Sequence, residues 1–263
     1  GSGRAENRVD TATSHSRRVV KAESARNMPE CCANSLSGAK KVILFLHGQA
    51  GHRGGVFGAK AKLSARVNLI RTLTLLPDVH VVTIDYRGFG ESEGSPSEEG
   101  LVEDAIAAYQ WVHEQCTASS PEVVIYGQSL GTGVATRLAK HLCDRASDRG
   151  DRAGTKGGRR GTDPRGQGPT AAMPAALILD APFTCLQEAA LHHSLTRGIL
   201  RLLGPGPFRA WLLSRLPDNF DNEKNVVAVA AAGIDVLILH KALDEVVPAS
   251  LGRRVYEAAS GDR

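Results

Sequence analysis

The pentapeptide Gly127-Gln128-Ser129-Leu130-Gly131 places a serine between two glycines, directly after the apolar run Val123 to Tyr126 and before a stretch of helical spacing. A serine in a strained strand-to-helix turn projects its hydroxyl over the strand ends, and only glycine on either side lets strand and helix approach so closely. The chemistry such a residue can do is nucleophilic attack on an acyl carbon. Glycine and serine are common in ordinary turns, so the motif gains its weight from the strand before it and the helix after it.

Two further segments supply complementary chemistry. His47-Gly48-Gln49-Ala50-Gly51 ends the run Val42 to Leu46, and a turn there can expose a backbone N–H beside the serine. With the N–H of Leu130 it would form an oxyanion hole. Fixed donors matter because the negative charge exists only on the tetrahedral intermediate, so they favour the transition state over the bound ester. Alone, His47-Gly48 reads as a plain β-to-α turn; beside Ser129 it reads as functional. After the run Val236 to Leu239 come His240-Lys241-Ala242-Leu243-Asp244-Glu245-Val246-Val247-Pro248. Asp244 sits where a triad acid belongs in the chain order Ser, Asp, His, and an aspartate there orients an imidazole and stabilises its cation. Glu245 is the competing carboxylate, farther from the strand end.

The base leaves a gap. His15, His47, His52, His80, His113, His141, His192, His193 and His240 all precede Asp244, whereas the order calls for a histidine after it. Beyond the acid segment lies one helical stretch, Ser250 to Ala259, and the chain stops at Arg263. A serine without a base is a weak nucleophile, and by analogy with a protease triad the loss is on the order of a million-fold in kcat. The chain by itself is therefore expected to be nearly inactive, with His240 packed under the acid loop and His192 and His193 on a cap surface.

The elements that must position these residues are legible in the apolar pattern. Runs at Val42 to Leu46, Val81 to Ile84, Val123 to Tyr126, Leu177 to Leu179 and Val236 to Leu239 read as strands buried on both faces. Between them lie helices. One opens at Ser95-Pro96-Ser97-Glu98, where Ser95 can cap and Glu98 can close a capping box, and presents Leu101, Ala105, Ala108 and Val112 on one face. Another, after Gly131, stacks Val134, Leu138 and Leu142. Strand alternating with helix predicts a parallel sheet in a single α/β domain over 41–263. Residues 1–40 are polar and aperiodic and are assigned no stable element. The Gly- and Arg-rich stretch 144–170 reads as a disordered insertion, and 186–225 as a small cap of two amphipathic helices broken at Gly204-Pro205-Gly206-Pro207.

Composition narrows the function. The net charge of +4 resides in the tail and insertion, which contain no aromatic residue to stack on a base, so nucleic acid is not an expected partner. The five scattered cysteines form no CxxC pair, so no metal and no cofactor is expected. No run of about 18 apolar residues is present to span a membrane. The start, Gly1-Ser2-Gly3 without a methionine, reads as an internal one that is compatible with an anchor upstream.

The blocks FLHGQAGHRGG, VVTIDYRGFGESEGSPSEEGL, VVIYGQSLGTGVATRLAKHLC, LILDAPFTCLQEA, FDNEKNV and LILHKALDEVVP together resemble the lysophosphatidylserine and monoacylglycerol lipase group of α/β-hydrolase domain proteins, from about Val42 to Tyr256. The resemblance implies an α/β-hydrolase fold from which N-terminal strands and the histidine-bearing C-terminal strand are missing. It implies a serine hydrolase held at the endoplasmic reticulum membrane in its full-length form, acting on a lysophospholipid or monoacylglycerol ester. It assigns Ser129 as nucleophile, Asp244 as acid, and Gln49 and Leu130 as oxyanion donors. The sequence departs from the group in its HKALD acid motif and its 144–168 insertion. An apolar cap carrying Arg197, Arg201 and Trp211 could bury an acyl chain while holding an anionic head group, although the same arginines could merely keep a surface helix soluble. Two other readings compete: a thioesterase using the same residues, and a non-catalytic hydrolase-like protein that binds lipid or another partner.

Overall fold

The apolar runs become five strands: β1 Lys41–Leu46, β2 Val79–Thr83, β3 Glu122–Gln128, β4 Ala176–Asp180 and β5 Asp235–Leu239. They form one wholly parallel sheet in the order β2-β1-β3-β4-β5. These relations come from a computed structural model that describes residues 36, 38–49, 51–54, 65–116, 121–153, 172–192 and 220–261. The chain leaves β1 toward one edge of the sheet and leaves β3 toward the other. The carboxyl ends of these two strands therefore border a crevice at the point where the winding reverses, the usual ligand position in such a sheet.

The helices are α1 Ala65–Leu73, α2 Glu98–Gln115, α3 Leu130–Ala153, α4 Leu186–His192, α5 Asn222–Ala231 and α6 Ala249–Ser260. The main core joins Val42, Leu44 and Leu46 of β1 to apolar residues of α2, α3, α5 and α6. On the opposite face Ile43, Phe45 and Tyr126 pack with Leu69, Ile70 and Leu73 of α1. The expected helix faces are borne out: Leu101, Ala105, Ala108 and Val112 are buried on α2, and Val134, Leu138 and Leu142 on α3.

Several expectations need correction. Burial on both faces holds for β1 but not for β5, where Leu237 and Leu239 are exposed because the strand lies at the sheet edge. Helix α2 is capped by Ser97, whose hydroxyl accepts from the N–H of Gly100, so Ser95 and Pro96 precede the helix. Glu98 closes no capping box; its carboxylate accepts from Arg137 and from the N–H of Phe220. Helix α3 continues to Ala153, ten residues into the stretch expected to be disordered. A helix already nucleated on a buried stripe gains a hydrogen bond for each residue it adds, and Lys140 and Asp144 pair one turn apart. Leu36 and Ala39, within the N-terminal stretch assigned no element, are buried in the core. Helix α5, which begins inside the expected cap, packs Val226 and Val229 into the same core. Among the described residues no helix is long and apolar enough to cross a membrane.

Candidate active site

Ser129 occupies the turn between β3 and α3 with φ 50°, a left-handed conformation that is uncommon for a residue with a side chain. Its neighbours explain how the turn persists. A Cβ on Gly131 would run into the carbonyl of Leu46, and one on Gly127 into the carbonyl of Gly131, so both positions require glycine. The Ser129 N–H donates to the Asp180 carbonyl at 2.8 Å, extending the β3–β4 ladder. The Ser129 carbonyl accepts from the N–H of Thr132 at 2.8 Å and from its hydroxyl at 2.7 Å. Beneath them buried Asn222 donates to the Phe183 carbonyl at 2.8 Å and to the Thr132 hydroxyl at 3.5 Å, and accepts from the Thr136 hydroxyl at 2.6 Å. The strained turn thus rests on a satisfied polar network. Ser129 itself stays partly exposed.

The turn after β1 lies against this elbow. A Cβ built on Gly48 would be 3.2 Å from the Ser129 Cβ and from the Gln128 carbonyl. His47 is fully buried and stacks on Tyr86 and Phe89 at centroid distances of 4.5 and 5.4 Å. Its Nδ1 bonds the Gly48 carbonyl at 2.8 Å, which places the proton on Nδ1. Its Nε2 faces Asp85 Oδ1 at 3.6 Å, beyond a hydrogen bond. Burial holds the imidazole below its ordinary pKa, with the Gly48 bond and the Asp85 carboxylate pulling the other way. A neutral ring committed to a backbone carbonyl buttresses the turn. Asp85 is buried in turn and accepts from the backbone N–H and the guanidinium of Arg53, so the whole turn is tied to the loop after β2.

Asp244 stands two strands away, in the loop beyond β5, on the same carboxyl-terminal edge of the sheet. Its Oδ1 accepts from the N–H groups of Val246 and Val247 at 2.8 and 2.9 Å, a local turn that sets the carboxylate. His240 sits under this loop as expected: Nε2–H donates to the Val247 carbonyl at 2.8 Å, and the ring packs against Gly252 of α6. Glu245 is exposed. Of the expected site residues, Ser129, Leu130 and the turn carrying Gln49 are adjacent, whereas Asp244 is carried to the same edge on a separate loop. Arg197, Arg201 and Trp211 lie outside the described residues.

Three polar side chains at the elbow have no signal in the spacing. Arg66, on α1, donates from Nε to Gln128 Oε1 at 3.3 Å and from Nη1 to the His52 carbonyl. Gln128 Nε2 donates to Asp180 Oδ2 at 3.1 Å. An arginine in an amphipathic helix reads as surface, and an aspartate ending a strand reads as a turn; only the fold makes them neighbours.

A protein-family model described as the alpha/beta hydrolase family matches residues 43–261. The lysophosphatidylserine lipase ABHD12 of Danio rerio is 38% identical over 226 residues, 86% of this chain and 49% of that protein. The human protein ABHD12B is 33% identical over 234 residues, 88% of this chain and 53% of that protein. The chain thus spans about half the length of the curated relatives it matches. Among solved structures, an esterase of Pyrococcus furiosus superposes with a TM-score of 0.54 at 15% identity, covering 85% of this chain and 69% of its own. An alpha-beta hydrolase of Vibrio vulnificus gives 0.51 at 20% identity, covering 84% and 74%. With the matched family model spanning the sheet, the elbow and the acid loop, this chain belongs to the alpha/beta hydrolase family.

Proposed function

We propose that this chain is the catalytic portion of a serine hydrolase that cleaves the acyl ester of a lysophospholipid or monoacylglycerol. The observation that carries the proposal is Ser129 held at φ 50° between two obligatory glycines, against the turn after β1. Ser129 attacks the acyl carbonyl, and the backbone N–H groups of Leu130 and Gln49 receive the oxyanion. Asp244 orients the histidine that takes the serine proton and returns it to the leaving alcohol. The acyl-enzyme is then released by water. All nine histidines of this chain precede Asp244. Of the described ones, His47 and His240 each commit a ring nitrogen to a backbone carbonyl. None of them is assigned as the base in this reading, because the chain order Ser, Asp, His puts the base after the acid.

The substrate class rests on the relatives, several of which are named lysophosphatidylserine lipases. Arg197 and Arg201 would hold an anionic head group and Trp211 the acyl chain, with the protein at the endoplasmic reticulum membrane. The test is fluorophosphonate labelling and ester hydrolysis by the protein at its natural length. Labelling lost in Ser129→Ala, with lysophosphatidylserine hydrolysed in preference to a neutral ester, is the expected result. Absence of serine-dependent labelling would sink the proposal, and equal turnover of anionic and neutral esters would remove the head-group assignment.

A further inference from the structure

Among the described residues Arg66 is the buried cation nearest the nucleophile, and neither its position in the sequence nor the triad chemistry accounts for it. It is only 8% exposed and lies on α1. Burial of a positive charge is costly. Burial lowers its pKa, partly offset by Tyr86 and Asp85. A protein keeps such a group where its geometry is used.

The guanidinium touches each of the pieces from which the oxyanion pocket is assembled. Nη1 reaches the His52 carbonyl, at the far end of the turn after β1. Nη2 lies 3.5 Å from the position of a Cβ on Gly48, in the middle of that turn. Nε reaches Oε1 of Gln128, the residue that precedes Ser129. The Gln128 amide is itself oriented, because its Nε2 donates to Asp180 at the end of β4. The planar fork of arginine can hold such separate oxygens at fixed angles, which an ammonium cannot.

Resting on the proposed hydrolase reading, we infer that Arg66 is a positioning residue that, through Gln128, sets the spacing between the turn after β1 and the nucleophile elbow. The two oxyanion donors of that reading sit on these two pieces, Gln49 on the turn and Leu130 on the elbow. Nothing else among the described side chains joins the His52 carbonyl to the Gln128 amide. Arg66 thereby acts on the transition state through backbone groups and makes no contact with substrate.

The experiment uses the protein at its natural length, with Arg66→Met, Arg66→Lys, Gln128→Met and the double variant Arg66→Met/Gln128→Met. Each is assayed on lysophosphatidylserine, on a neutral monoacylglycerol and by the rate of fluorophosphonate labelling, with thermal melting measured alongside. A displacement of the donors by about an ångström predicts kcat and labelling rate lower by about 100-fold in Arg66→Met, equally on both esters, with KM changed little. Arg66→Lys recovers little of this. Gln128→Met gives a comparable loss, and the double variant loses no more than the larger single one, since both cut the same link.

Unchanged kcat in Arg66→Met overturns the inference. So does a KM that rises on the anionic ester alone, which would make Arg66 a head-group ligand, and so do fully additive losses, which would make its role merely structural. If Arg66→Met does not fold, Gln128→Met decides: a kcat loss at an unchanged melting temperature supports the link and an unchanged kcat refutes it. A wild-type protein without Ser129-dependent labelling overturns the hydrolase reading and this inference with it. An active wild type with indifferent Arg66 variants overturns the inference alone.

Discussion

The nucleophile elbow and the acid loop lie on the same edge of one sheet, yet they are built in opposite ways. The elbow sits at the sheet centre between β1 and β4, its strand flanked by helices on both faces, and its backbone is bonded to Asp180 and Thr132. The acid loop hangs from the edge strand β5, where Leu237 is 51% and Leu243 82% exposed, and it is held mainly by the Asp244 turn and by His240. The difference teaches that a residue held in a strained turn needs a rigid, over-determined frame, whereas a carboxylate in the orienting role proposed for Asp244 is served by a small self-closing turn.

That contrast can be broken or sharpened experimentally. The largest effect is expected at Asp244: Asp244→Asn keeps the Oδ1 turn but removes the charge, and should lower kcat by about 10⁴-fold with little change in melting temperature. The neighbouring Glu245→Gln should retain activity. An equal loss in both would move the acid role away from Asp244. At the elbow the effect falls on folding instead. Gly131→Ala forces a Cβ into the Leu46 carbonyl and should destabilise by more than about 3 kcal/mol in urea unfolding. A variant of near wild-type stability would mean that the turn yields more than its packing implies.

One step deeper, Asn222→Ala removes the donor to the buried Phe183 carbonyl and the acceptor of the Thr136 hydroxyl, which keeps only its bond to the Gly133 carbonyl, and should cost about 2 kcal/mol, with a further fall in kcat as the elbow loosens. Stability should also fall in mild acid. Burial holds His47, His113 and His141 below their ordinary pKa. Unfolded imidazoles take up protons near pH 6.5 and these folded ones only lower, so stability is full above about pH 6.5 and declines as the pH drops through the folded values. Urea midpoints measured across that range, with His47→Gln to remove one contribution, test the sign. The smallest effect belongs to the edge: Leu237→Ser should change stability by no more than about 0.5 kcal/mol, and a larger loss would show that the outer face of β5 is covered in solution.

Much of the fold is legible in the chain for local reasons. The strand runs, the stripes of α2 and α3 and the Gly-Gln-Ser-Leu-Gly turn depend on near neighbours, whose spacing repeats with the backbone period. The boundaries are less legible. Ser95 and Ser97 both present a capping hydroxyl, and which one caps depends on how Glu98 is used by Arg137 and Phe220 from distant segments. The extension of α3 past Asp144 is obscured because low hydrophobicity argues for disorder only when no buried helix stands next to it. Helix α5 is hidden by an alanine-rich stretch whose apolar face has no obvious complement until α3 is beside it.

The sequence by itself determined that an α/β hydrolase elbow exists here, which serine it holds and which carboxylate comes after the last strand, because each rests on a short segment with its own backbone requirement. The tertiary structure alone decided what surrounds that serine: the buried Arg66 bonded to Gln128, the Gln128 bond to Asp180, the buried His47 with Asp85 and Tyr86 beside it, and the Asn222 network. Those residues are 14 to 90 positions from their partners. A side chain's chemistry at such a distance is set by the sheet order that brings it there, and no spacing rule records that order.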